Sequence, residues 1–138
     1  MQKAVQQGTH IPDLTLAIAT PDYTGSMAWL YGFDAVAPAQ ARVLELGCGD
    51  GEWLSLQAAR WPEATWTGVE LLSENKQESQ DRLMAAGLEN LAVCSTSLEQ
   101  LLSVDIGQYD YIIVHNTFSL LSNHKIECVL QYCREHLS

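Results

Sequence analysis

Apolar positions along this 138-residue chain alternate between two patterns. Short, nearly continuous apolar runs over 42–46, 66–70, 91–94 and 109–115 have the length and composition of strands. Between them lie stretches at helical spacing. Residues 53–60 carry apolar side chains at 53, 54, 56, 58 and 59; 73–86 reads as a polar helix stopped by Gly87; 98–102 and 124–136 read as a short and a long helix. Ahead of these, Thr20-Pro21-Asp22 reads as a helix start with proline in the first turn. The helix it opens, over 23–33, is expected to present Met27, Leu30 and Tyr31 on one face. Residues 1–20 read as a lead segment and 21–138 as one domain. Strands and helices alternating at this spacing imply right-handed crossovers and a doubly wound parallel α/β sheet.

One strand breaks its own pattern. Val43-Leu44-Glu45-Leu46 puts a carboxylate inside a buried run and leads straight into Gly47-Cys48-Gly49-Asp50-Gly51. A strand, a glycine turn and a helix start together bring backbone close to a small ligand, where a Cβ would clash or forbid positive φ. The dinucleotide pattern G-x-G-x-x-G fails, because its third glycine would be Glu52. A pyrophosphate at this helix start would meet Asp50 and Glu52. No G-x-x-x-x-G-K-[ST] is present, so a phosphate loop is also excluded. Carboxylates in and around the turn suit a cationic ligand without phosphate, and S-adenosylmethionine fits that description.

The residues VLELGCGDG resemble motif I of class I S-adenosylmethionine-dependent methyltransferases. Thr67-Gly68-Val69-Glu70 resembles that family's second strand, which ends in the acid that holds the ribose hydroxyls. The run 109–115, YDYIIVH, resembles its fourth strand. With TPDYTGSMAWLYGFDA ahead of motif I, the chain is most similar to bacterial methyltransferases that carry a regulatory domain after the catalytic one. The resemblance covers residues 20–137. It implies a Rossmann-like, partial class I methyltransferase fold of strand order 3-2-1-4, with S-adenosyl-L-methionine bound beyond the carboxyl ends of the strands. The cofactor-binding residues it implies are Glu45, Gly47, Cys48, Gly49, Asp50, Gly51, Glu70, Leu71, Ser97, Leu98 and His115.

Each of these has a plainer alternative. Glu45 needs a ligand ammonium or backbone N–H groups to justify its burial. Glu70 is a ribose-binding acid or a helix cap. Ser97 reaches the adenine or caps the helix after it. Cys48 is a small residue filling a tight turn. His115, which closes strand four with Asn116, is a candidate general base or a packing residue. Methyl transfer needs mostly proximity and alignment, so no catalytic residue is assigned from sequence.

The remaining sequence features narrow the partners. A net charge of −10, from 7 basic and 17 acidic residues, argues against nucleic acid or an anionic membrane. No apolar stretch approaches membrane-spanning length, and residues 14–19 are too short and poorly flanked for a secretory signal. Four cysteines without a C-x-x-C pair read as reduced thiols in a cytoplasmic protein. The methyl acceptor is unspecified, a small molecule or a protein. The chain ends after the fourth strand and its helix, so strands five to seven are expected to be missing. Strand 109–115, apolar on both faces, would then be an edge needing self-association or a partner chain. The alternative function is a non-catalytic, truncated cofactor-binding or interaction module that requires another chain.

Overall fold

β1 (Arg42–Leu46) is the central strand, and its sequence says why. Val43, Leu44 and Leu46 are fully buried and Glu45 nearly so, which only a strand covered on both faces achieves. In the computed structural model, which describes residues 19–71, 81, 85, 87–115 and 117–138, β1 pairs in parallel with β2 (Thr65–Glu70) on one side. On the other side it pairs in parallel with β4 (Tyr111–Ile113). β3 (Leu91–Ser95) pairs in parallel with the outer side of β2. The order β3-β2-β1-β4 is the one that the motif I resemblance implies.

Side-chain alternation sorts the core into two layers. Val43, Trp66 and Tyr111 share a face with Leu54 and Ala58 of α2 (Glu52–Arg60). Leu44, Leu46 and Val69 share the other face with α3 (Leu98–Leu101) and α4 (Asn123–His136), through Leu98, Leu101, Val129 and Tyr132. Helices on both faces of a parallel sheet make a three-layer α/β domain. Two polar fastenings hold its far end. The Asn90 amide nitrogen lies 3.0 Å from the carbonyl oxygens of Ala58, Trp61 and Ala64, serving the open end of α2. Asp110 accepts from the Arg42 backbone N–H at 2.7 Å and from its guanidinium at 2.9 Å, which holds the Asp110 carboxyl below its usual range.

The chain departs from its sequence pattern in three places. β4 spans three residues rather than the seven of 109–115, because the β1 register offers partners only to Tyr111, Ile112 and Ile113. Tyr109 pairs outward instead: Leu137 forms a parallel bridge with it, with Tyr109 N–H on His136 O and Ser138 N–H on Tyr109 O. The residues after α4 thus begin pairing along the outer side of the β4 segment, where an open edge was expected. Thirdly, the helix capped by Thr20 is α1 (Pro21–Leu30), which starts two residues before and ends three residues before the expected 23–33. Its Leu30 and Tyr31 are exposed, and so are Trp29 and Phe33. The face expected to carry Met27, Leu30 and Tyr31 is therefore not packed against the core at its C-terminal end. The lead segment to residue 18, Asn116, and most of the helix expected over 73–86 lie outside the described residues; Asp81 and Ala85 are helical.

Candidate functional site

β1 and β4 stop pairing at Glu45–Ile113, and the site opens where they part. β1 continues to Leu46, and the chain then turns with Gly47 held by its N–H on Val69 O at 2.7 Å. Gly47 takes φ 80°, a conformation that side chains rarely adopt. A Cβ at this position would also run into the Thr117 hydroxyl, so Gly47 is required twice over. A cleft of about 330 Å³ lies beside the turn, beyond the carboxyl ends of the strands. Gly47 and Gly49 form one wall, and the end of β2 supplies Glu70 and Leu71. Ser97, Leu98 and Glu99 follow β3; His115, Thr117, Leu120, Leu121 and Lys125 come from the chain after β4.

Seven of the sequence-derived residues therefore converge on this cleft: Gly47, Gly49, Glu70, Leu71, Ser97, Leu98 and His115. The other four sit behind the wall. Cys48 packs into the core beside α2, and burial pushes its thiol far above the usual range, with Glu45 and Glu70 adding to the effect. Asp50 accepts from the Glu52 N–H at 3.1 Å, at the start of α2, and Gly51 is the residue from which that helix begins. Glu45 is 5% exposed, and its Oε2 has no hydrogen-bond partner among the described residues.

The strand register explains the state of Glu45. Glu45 lies opposite Gly68, so Glu70, two residues on, shares its face of the sheet. Glu70 is also buried, at 1% exposure. Burial first, then the charges of Glu70 and Asp50, push the Glu45 pKa up to about 8. Ser97 does two things at once. Its hydroxyl accepts from Gln100 N–H, and the Gln100 side chain accepts from the Ser97 N–H, a capping box that starts α3 within the cleft wall. Across the cleft, Lys125 Nζ lies 3.3 Å from Glu99 Oε1 and joins the walls contributed after β3 and after β4.

Sequence reasoning missed Glu99, Thr117, Leu120, Leu121 and Lys125. The segment 117–125 carries no motif, and its one signal was Leu120-Leu121, an apolar pair outside any helix or strand pattern. No helix among the described residues is long and apolar enough to cross a membrane.

Residues 43–138 match the model of a family described as "Methyltransferase domain". The chain belongs to that family. The methyltransferase domain is 30% identical over 122 residues to the uncharacterized protein RP789 of Rickettsia prowazekii, covering 88% of this chain and 22% of that protein. A second Rickettsia prowazekii protein, RP028, is 24% identical over 127 residues, covering 92% of this chain and 50% of its own length. Among solved structures, PKMT2 from Rickettsia typhi in complex with AdoHcy superposes with a TM-score of 0.81 at 24% identity, over 88% of this chain and 24% of that one. The plantazolicin methyltransferase BpumL in complex with SAH gives 0.65 at 23% identity, over 90% and 43%. The chain thus spans between about a fifth and a half of the length of these curated relatives and solved chains. The shared fold of these methyltransferases is the class I, Rossmann-like one read from motif I.

Proposed function

We propose that this methyltransferase domain binds S-adenosylmethionine in the cleft beside Gly47 and serves transfer of its methyl group to an acceptor. The observation that carries the reading is the meeting of the glycine turn with the Glu70 carboxylate on one cavity of ligand size. The residues fit the cofactor. A Cβ built at Gly49 meets nothing within 4 Å, so the turn leaves room for close approach. Behind this wall, one Glu45 oxygen is without a hydrogen-bond partner among the described residues.

When bound, the cofactor supplies a methyl group on a sulfonium, and transfer leaves a neutral thioether. This chain's residues bind and orient. The Glu70 carboxylate would accept from the ribose hydroxyls. Leu71, Leu98, Leu120 and Leu121 form apolar walls that exclude water and hold a flat ring. His115 and Ser97 line the same cleft, where His115 would face the acceptor and Ser97 the adenine. Transfer to a nucleophile draws chiefly on alignment, which these walls supply.

Calorimetry with S-adenosylhomocysteine, S-adenosylmethionine and NAD tests the reading. Binding of the first two and none of NAD is expected. Glu70→Gln keeps the shape and should weaken binding by roughly 1.5–3 kcal/mol, the range for a hydrogen bond to a charged group. Unchanged affinity would remove Glu70 from the ribose role. Binding without turnover on any acceptor would favour the non-catalytic module.

The acceptor class is a small molecule or a protein, since the net charge of −10 disfavours a phosphate backbone. The four free cysteines suit a reducing compartment such as the cytoplasm. The outer edge of β4 beyond Tyr109 is a place for a second strand, from another copy or another chain, because Ile112 and Val114 are only half-buried there. Light scattering at micromolar concentration should show a dimer or larger species if the strand comes from another copy, and a clean monomer would refute that self-pairing.

A further inference from the structure

Thr117 is a buried polar residue, 7% exposed, that no motif announces. Its position is specific. The β1–β4 ladder ends at Glu45–Ile113, one residue before Leu46. Gly47 N–H points to β2 through Val69 O. The preceding carbonyl, Leu46 O, therefore faces the β4 side, where no further rung is formed. Thr117 Oγ1 lies 3.2 Å from Leu46 O and 3.1 Å from His115 O. A hydroxyl has one proton, so these two carbonyls share a single donor. The rest of the side chain occupies the space that a Cβ at Gly47 would claim, with Cγ2 3.0 Å and Cβ 3.1 Å from that position. The same residue lines the cleft, three positions ahead of Leu120.

We infer that Thr117 is a positioning residue for the cofactor: its hydroxyl replaces the missing strand rung and pins the chain after β4 to the glycine turn. This rests on the cofactor reading above. The pin sets the gap between two walls, Gly47 and Gly49 on one side and Leu120 and Leu121 on the other. Without it the walls separate where the strands already diverge, and a ligand must close them itself. The hydroxyl makes the link, while the methyl only fills space.

The test is S-adenosylhomocysteine affinity by calorimetry on the full chain, beside urea unfolding of each variant. Thr117→Val keeps the shape and loses the donor; it should weaken binding three- to tenfold, the effect of one neutral hydrogen bond. Thr117→Ser keeps the donor and should bind within twofold of wild type. A structural role alone would not follow the hydroxyl in this way. A second readout does not depend on Thr117→Val folding well. Gly47→Ala should cost at least threefold less affinity in a Thr117→Ala background than in wild type, because the obstructing atoms are gone and only the backbone strain remains. Affinity loss below threefold in Thr117→Val, a serine variant as weak as the valine one, or additive Gly47 and Thr117 effects would each overturn the proposal. A wild-type chain that binds no S-adenosylhomocysteine would instead overturn the cofactor reading, and this inference with it.

Discussion

Raising the pH from 5 to 9 should destabilise the ligand-free chain, and Glu45→Gln should remove most of that loss. In an unfolded chain the Glu45 carboxyl titrates near 4.5, whereas in the fold its pKa is about 8. A group whose pKa is raised on folding gives its full contribution below the unfolded value, and that contribution is lost as pH climbs through the folded value. The window is therefore pH 4.5 to 8. At about 1.4 kcal/mol per pKa unit, the loss is of order 4 kcal/mol across it. The cause is structural: the side chain is 5% exposed, shares its sheet face with buried Glu70, and leaves one oxygen unbonded. Glutamine has no charge to bury, so the variant should match wild type near pH 5 and exceed it at pH 8.5. Urea midpoints across this range decide the matter; a wild-type profile that is flat or rises would refute it.

The second large effect should come from Gly68, in the middle of β2. Its conformation is ordinary; space is what it provides. A Cβ at this position would lie 2.5 Å from Leu54 Cδ2, 2.9 Å from Cys48 Sγ and 3.1 Å from Val93 Cγ2. Leu54 is fully buried in α2, and Cys48 belongs to the glycine turn. Both are buried, so either side chain can rotate away only by displacing other core atoms. Gly68→Ala should cost roughly 1–3 kcal/mol of stability as an overpacked site, and valine more. Leu54→Ala in the Gly68→Ala background should cost less than in wild type, because it vacates the contested space. Strict additivity in urea denaturation would show that α2 does not rest on Gly68.

How far the sequence disclosed all this depended on the kind of interaction. β1, β2 and β3 were legible because continuous apolar runs have no other use in so short a space. That the glycine turn and Glu70 meet at one cleft was legible, the turn because tight backbone geometry restricts residue type and Glu70 because it ends β2. β4 was over-read: run length reports apolar character, whereas the extent of a strand depends on the partner, and β1 supplies only three positions. The face expected for α1, with Met27, Leu30 and Tyr31, says nothing of what covers it, and Leu30 and Tyr31 are exposed. Thr117 and the Glu99–Lys125 pair could not be found at all. Their roles arise from the place where two strands part and from α3 and α4 packing on one face, and both are long-range facts.

The burial of Cys48 has a practical consequence. Its thiol sits at the hinge between the glycine turn and α2, 8% exposed and held protonated by burial and by the neighbouring carboxylates, whereas Cys94 is exposed. An alkylating reagent needs a thiolate it can reach. Cys48 therefore works as a chemical clock set inside the signature loop. Its labelling should be slow and report opening of the turn from the sheet, while Cys94, exposed though with its thiol raised by partial burial, should label first and serve as the reference channel.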